Sequence, residues 1–521
     1  MSFNGQASSV GASETSPPDS TFLLERPLLA AFAVCLLSRI VAYFLWHVAY
    51  NPAPNIYQLL DSDALKAEPF TSLYFMHIQP PLFNALYALS LALPDGTGPV
   101  LLQFLSILST LAMMAVIHVF LRRFGYSARL AGILVAVFSL LPQVWGYEHV
   151  FFYAQFEAVL LACSMLFASN YLGNRGTSQY CAFALCLLVL GLIRSLFHIG
   201  WIAVVLLTVA GMKSRRYGPD KPALLIATLA LAILGVVYVK NLAQFSTFST
   251  SSWLGINTAE ISVPLLSDGV RFPEIVDDFL RRTKAGEFSQ SAALWEEADN
   301  PWRGWLATAQ DCGEDKTTPR VLCATLKSNG GLNMNHLAML KYSDELGKDA
   351  LHAMRLYPRL YIDRARRSFI QFLTTPSWDF FLASPSLGRY ADAWNLVFLY
   401  EQRNANLAQY GRAPWWSPAR YPSSSMPLFI LIVVAILVVL VRAGLEFRRY
   451  LTRRSGNADW VYPAIVVILF VLVPNLINGI ESQCMRYSIE PILLLALAYG
   501  AAMAVRTIAG RVHALKTGMP H

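Results

Sequence analysis

The sequence predicts an all-α polytopic membrane protein, a bundle of about 10 transmembrane helices with a helical loop region on its outer side. Three observations carry this. Of 521 residues, 55% are hydrophobic and only 14% charged, whereas soluble domains carry about 25% charged residues. Apolar runs of spanning length recur along the chain. Basic residues gather in alternate connections, as they do in cytoplasmic loops. The net charge of +8 therefore reads as loop charge, and no nucleic-acid partner is implied.

Residues 1–27 are rich in Ser, Gly, Pro and Thr and are expected to be a disordered cytoplasmic segment. They lack the pattern of a cleaved signal peptide, so Leu28–Val48 reads as a retained span. The other runs are Val100–Leu121, Ala128–Trp145, Val150–Tyr171, Tyr180–Ile193, Phe197–Met212, Ala223–Val239, Met426–Val441, Trp460–Ile477 and Tyr487–Val505. Tyr180–Ile193 and Phe197–Met212 also read as one broken pair interrupted at Arg194. Pro81–Leu93 is too short to cross and is expected to lie on the membrane surface. The chain then divides into a bundle at 28–240 with an outer loop at 49–98, an outer region at 241–425, further spans at 426–507 and a cytoplasmic tail at 508–521.

With a cytoplasmic N-terminus, the inner connections hold Arg122, Arg123, Arg129, Arg175, Lys213, Arg215, Arg216, Lys221 and the run Arg442 to Arg454. The short outer connections hold little that is basic except Arg194 and Arg486. The outer region of about 185 residues is too long for an ordinary loop. Its clearest helical pattern is Ala350–Leu373, with an apolar side and a basic side, read as a membrane-surface helix or as part of a small subdomain. Trp302, Trp305, Trp378, Trp394, Trp415 and Trp416 read as interfacial anchors or sugar contacts. Cys312 and Cys323 lie in this polar region, where an oxidising compartment would allow a disulfide.

Every outer connection carries an ionisable residue beside an apolar run. Asp61, Asp63, His77 and Gln79 lie in the first, Glu148 and His149 in the second, and Arg194 in the third. Lys240 leaves the seventh span, and Glu481 and Arg486 lie in the last outer turn. Charges at membrane depth persist mostly where they face a cavity or a partner, so the set implies one shared outward cavity. Asp61, Asp63 and Glu148 could serve as a general base or hold a divalent cation such as Mg or Mn. Lysine and arginine neutralise phosphate, one as a point charge and the other as a fork. Each has a plainer reading: helix caps for the acids, snorkelling anchors for Arg194, Lys240 and Arg486, and a structural hydrogen-bonder for His77. Arg39, His118 and Glu157 lie inside spans and are expected to pair within the bundle.

Three local patterns resemble GT-C fold glycosyltransferases, in particular the dolichyl-phosphate-mannose–protein mannosyltransferase and aminoarabinose transferase group. They are His77-Ile78-Gln79-Pro80-Pro81-Leu82, Tyr147-Glu148-His149 and Glu481-Ser482-Gln483-Cys484-Met485-Arg486-Tyr487 with Pro491. The resemblance implies an inverting transfer of a sugar from a polyprenyl-phosphate donor to a lipid, glycan or protein acceptor on the outer face. Asp61 would then be the base and Glu148 a second acid associated with a divalent metal, with Asp63 a further ligand. Lys240, Arg194 and Arg486 would hold the donor phosphate, with His77, Gln79, His149 and Glu481 in the same site. Two other classes remain open: a multi-span transporter, and an inactive lipid-binding scaffold of the cell envelope. The outer region has no Asn-x-Ser/Thr sequon, which leans toward a bacterial inner membrane over the endoplasmic reticulum.

Overall fold

The computed structural model describes residues 25–46, 50, 58–94, 96–173, 175–265, 268–269, 271–289, 291–292, 304–306, 309, 318–375, 377, 401–402, 423–453, 459–477 and 482–517. Glu481, Cys312, most of the outer-region tryptophans and residues 1–24 of the N-terminal segment lie outside these, whereas Glu25 is described and Arg26 and Pro27 already belong to a helix. Among the described residues the protein is helical, apart from a two-residue antiparallel pairing of Glu401–Gln402 with Ser423–Ser424.

Each of the ten apolar runs forms helix. The first half contains α1 (Arg26–Trp46), three short outer helices α2 (Ser62–Ala67), α3 (Pro69–Tyr74) and α4 (Pro81–Leu91), then α5 (Thr97–Arg123), α6 (Ala128–Ser139), α7 (Pro142–Glu148), α8 (Tyr153–Leu172), α9 (Thr177–Ile193), α10 (Ile199–Tyr217) and α11 (Lys221–Phe245). The outer region supplies α12 (Leu254–Ser262), α13 (Pro273–Lys284), α14 (Arg320–Cys323), α15 (Leu337–Leu356) and α16 (Pro358–Thr374). The chain closes with α17 (Met426–Arg453), α18 (Val461–Ile477), α19 (Ser482–Tyr487) and α20 (Glu490–Thr517). Among the described residues α1, α5, α11, α17 and α20 are long and apolar enough to cross a bilayer, with α6 and α7 a sixth if that bent pair is one span. The protein is thus an all-α membrane protein.

Prolines explain where the runs break. Pro142 opens α7, and the pair α6–α7 bends by 59°, because proline cannot continue the helical hydrogen-bond ladder. The pattern over Ala350–Leu373 is likewise two helices, α15 and α16, with Pro358 at the start of the second. Pro81 opens α4 at its first position, where its missing N–H costs nothing. Between α9 and α10 the chain turns, and the His198 ring caps α10 by accepting from the Gly200 amide at 3.1 Å.

Helix α8 runs through the centre and packs against α5 and α9. Ala154, Ala158, Leu161, Ala162, Met165 and Ala168 are all buried along it. By contrast α11 leaves Leu225, Leu229, Ile233, Val236 and Val239 exposed, the apolar face a lipid-bathed helix requires. In the outer region α12 crosses α15 so closely at Gly255 that any Cβ there would collide with the Ser343 backbone. Helix α16 seats this region on α17, α18 and α19. Trp305 is not an interfacial anchor: it is fully buried and stacked on Tyr342 with ring centroids 5.2 Å apart. Cys323 is disulfide-bonded, whereas the five cysteines of the apolar segments are free.

Candidate functional site

Asp61 stands immediately before α2 in extended backbone, the usual place for a helix cap, yet its side chain makes no capping bond. Its Oδ1 instead accepts from the Ser328 amide at 2.9 Å and the Ser328 hydroxyl at 2.5 Å. Ser328 belongs to a tight turn in the outer region. The Gly330 amide donates to the Lys327 carbonyl at 2.9 Å, and the Lys327 amide to the Gly331 carbonyl at 2.7 Å. Gly330 has a φ of 77°, a conformation open to glycine at no steric cost. Ser328 and Asn329 are exposed while Asp61 beneath them is 4% exposed, so the turn roofs the acid.

The other carboxylate oxygen, Oδ2, is buried with no hydrogen-bond partner, and Arg320 Nε lies 3.9 Å from it. Burial raises the Asp61 carboxyl, but the two Ser328 bonds, the Asp63 amide and Arg320 together outweigh it, so the group sits below the usual carboxylate range and is ionised. Lys327 is buried beside it. Desolvation lowers its ammonium to about 8, and the charge of Asp61 works in the opposite direction. Tyr87, on α4, is raised by burial and then by the charge of Asp61. Asn84, also on α4, fixes the approach to the acid: its Oδ1 accepts from the Leu60 amide at 2.8 Å and its Nδ2 donates to the Gln58 carbonyl at 3.1 Å.

His77 is fully buried and spent on the framework. Its Nδ1 is 2.9 Å from the Ser252 hydroxyl, its Nε2 is 2.9 Å from the Asn335 carbonyl, and its amide donates to Asn335 Oδ1 at 2.9 Å. Burial lowers the ring to about 3, so it is neutral. This staple joins the first loop to two distant parts of the outer region. Lys240 adds a second tie, donating to the carbonyls of Tyr74 at 3.0 Å and Met76 at 2.7 Å. Gln79 is half-buried in the loop before α4.

The remaining groups lie inside the bundle, each with a partner. Arg39 forks onto Glu148, with both nitrogen–oxygen distances 2.9 Å, and the Thr110 hydroxyl donates to Glu148 Oε2 at 2.7 Å. Gln155 donates to the Thr110 hydroxyl at 2.9 Å, and the Tyr487 hydroxyl donates to Gln155 at 2.5 Å. Arg194 pairs with Glu157 at 2.8 Å, and the Ser488 hydroxyl donates to the same carboxylate at 2.7 Å. Arg486 donates to the carbonyls of Phe372 and of Thr375, the latter at 2.8 Å, and to Glu490 at 3.2 Å. His149 Nδ1 is 2.8 Å from the Trp145 carbonyl.

Among the described residues the outer polar groups do not converge on one site. Asp61 sits in a cap built from the first loop and the outer region, while Glu148, Arg194 and Arg486 are committed to a buried framework. His77, Lys240, Arg194 and Arg486, read from the sequence as phosphate ligands, here hold protein groups. Of the two residues read as metal ligands, Asp63 is exposed on α2 and both oxygens of Glu148 are engaged by Arg39. Among the described residues no group of three His, Cys, Asp or Glu has metal-site geometry.

Sequence reasoning missed Arg320, Lys327, Ser328, Tyr87 and Asn84. The run Lys327-Ser328-Asn329-Gly330-Gly331 carries a turn signature. Nothing in it announces contact with an acid 267 residues earlier. No family model, no curated protein and no solved structure matches the sequence.

Proposed function

We propose that this protein is a multi-pass membrane glycosyltransferase of GT-C type, with ten spans. In this reading it moves a sugar from a polyprenyl-phosphate donor to an acceptor on the outer face of a bacterial inner membrane. The observation that carries the reading is the site at Asp61: a buried, ionised carboxylate with one oxygen unpartnered, beside Arg320 and Lys327. Base and cations together suit a reaction that takes a proton from one group while negative charge grows on another.

The step balances as follows. Asp61 Oδ2 takes the proton of an acceptor hydroxyl or amine. The freed lone pair attacks the anomeric carbon as the bond from that carbon to the phosphate oxygen breaks. The electron pair leaves with the polyprenyl phosphate, whose charge meets Arg320 and Lys327. Ser328 holds the other oxygen of Asp61, which keeps the base oriented. Attack opposite the leaving phosphate inverts the anomeric centre. No step is assigned to a metal.

The test is a transfer assay on protein in lipid nanodiscs with labelled polyprenyl-phosphate sugars and envelope acceptors. Asp61→Asn is expected to lower the rate by a factor of about 10² to 10⁴, the usual worth of a general base. Arg320→Ala and Lys327→Ala are expected to raise the donor KM. Unchanged transfer in Asp61→Asn would remove the reading. A transporter is the second reading, favoured by arginine–carboxylate pairs buried within the bundle, Arg39–Glu148 and Arg194–Glu157 among them. Donor left intact by wild-type protein, together with solute uptake into proteoliposomes, would move that reading ahead.

A further inference from the structure

A groove of about 630 Å³ runs along the outward flank of α11, lined by Tyr74, Gly235, Val236, Val239, Lys240 and Gln244 among others. That volume is in the range of ligand pockets, roughly 300–1,000 Å³. Its walls are almost wholly apolar, and Val236, Val239 and Tyr74 are more than half exposed. Because α11 is long and apolar enough to cross the bilayer, this flank faces lipid.

The head of the groove is polar. Lys240 gives two N–H groups to the Tyr74 and Met76 carbonyls, and an ammonium has three. Both acceptors are neutral, so its positive charge is not cancelled by either. Beside it Gln244 Oε1 is buried with no hydrogen-bond partner. Phe245, whose ring lies 5.7 Å from the ammonium, packs with Phe75 against Ala64, Val321 and Leu322. Ala64 lies on α2 just after Asp61, and Val321 and Leu322 follow Arg320 on α14, so Phe245 ties the groove head to the elements that carry the candidate site.

We propose that the groove is a site for an anionic phospholipid of the outer leaflet, with its phosphate at Lys240 and an acyl chain along Gly235, Val236 and Val239. The lipid headgroup would then sit on the residue that fastens the first loop to α11, and so support the segment carrying Asp61. The inference rests on the membrane reading and is independent of glycosyl transfer.

The test uses full-length protein in phosphatidylcholine nanodiscs doped with photoactivatable phosphatidylglycerol or photoactivatable phosphatidylcholine. Crosslinks are mapped by mass spectrometry. Phosphatidylglycerol is expected to label segment 232–244 about fivefold more than phosphatidylcholine, the preference of about one basic residue at an anionic headgroup. Lys240→Gln is expected to abolish that preference. Gly235→Leu is expected to block labelling while leaving the fold intact, since a Cβ there meets only Ile199 Cδ1 at 4.0 Å. Asp61→Asn is expected to label like wild type even where transfer is lost, which separates this inference from the catalytic one. Equal labelling by the two lipids would overturn the proposal. So would displacement of phosphatidylglycerol by trace polyprenyl phosphate, which would assign the groove to the donor.

Discussion

Two residues near the outer surface show how burial decides charge. His77 loses water entirely, and that desolvation lowers its ring to about 3 even though the contact with the Asn335 carbonyl works the other way. In the unfolded chain it titrates near 6.5. Between those values the unfolded state binds the extra proton, so stability rises with pH across that window. As pH falls from about 6.5 towards 3 the fold is expected to lose roughly 1 kcal/mol per pH unit through this residue. Thermal unfolding of wild type and His77→Gln across that range checks it, and the variant should show the shallower slope. Lys327 works at the other end of the scale. With its ammonium lowered to about 8, its charge fades as pH rises through 8. The donor KM is therefore expected to climb above pH 8 in wild type and stay flat in Lys327→Arg, because arginine keeps its charge.

At the scale of elements, short helices and turns place the chemistry and long helices carry the buried charge. Helix α7 ends at Glu148, and α1 brings Arg39 to meet it within the bundle. Removing one member of a buried pair strands the other, at a cost of about 3–5 kcal/mol. Glu148→Gln is therefore expected to lower the thermal midpoint and take activity with it. The double variant Arg39→Met with Glu148→Leu is expected to recover much of the loss, since neither charge is then left alone. If Glu148 held a cation, EDTA would reproduce the single variant's loss; the pairing with Arg39 predicts that it does not. Helix α19 and the residues after it form a hub of the same kind. Arg486, Tyr487 and Ser488 reach respectively to the end of α16 and to Gln155 and Glu157 of α8. A break there would loosen the outer region from the bundle.

At the scale of the whole molecule the two ends of the bundle differ. The cap at Asp61, His77 and Lys240 stands at one end of the bundle. At the other end are the ion pair of Arg122 with Glu25 and the bond from Ser169 to Asp459. The proposed ten-span topology with a cytoplasmic N-terminus would put Asn329 outside and Arg448 inside. Both positions are exposed. In a background lacking the five free cysteines, Asn329→Cys should react with a membrane-impermeant maleimide on intact cells. Arg448→Cys should react only after permeabilisation. Reaction of both from the same side would break the ten-span topology. The disulfide at Cys323 agrees with an oxidising outer side.

The sequence by itself determined the class of this protein, because apolar runs of bilayer length and alternating loop charge are local properties that water and lipid read directly. It also determined that Arg39, His118 and Glu157 would find partners within the bundle, since an unpaired charge there costs too much to persist. Which partners they found was decided by packing: Glu148, Glu25 and Arg194 lie 109, 93 and 37 residues away in the chain. The same holds for the candidate site. Asp61 was legible as an acid at a membrane border, but its setting comes from a turn 267 residues later. Side chains that read alike in sequence part company once folded. Lys240 and Arg486 hold backbone carbonyls, while Arg320 and Lys327 are brought to the carboxylate, because only the tertiary fold fixes how far each charge stands from the next.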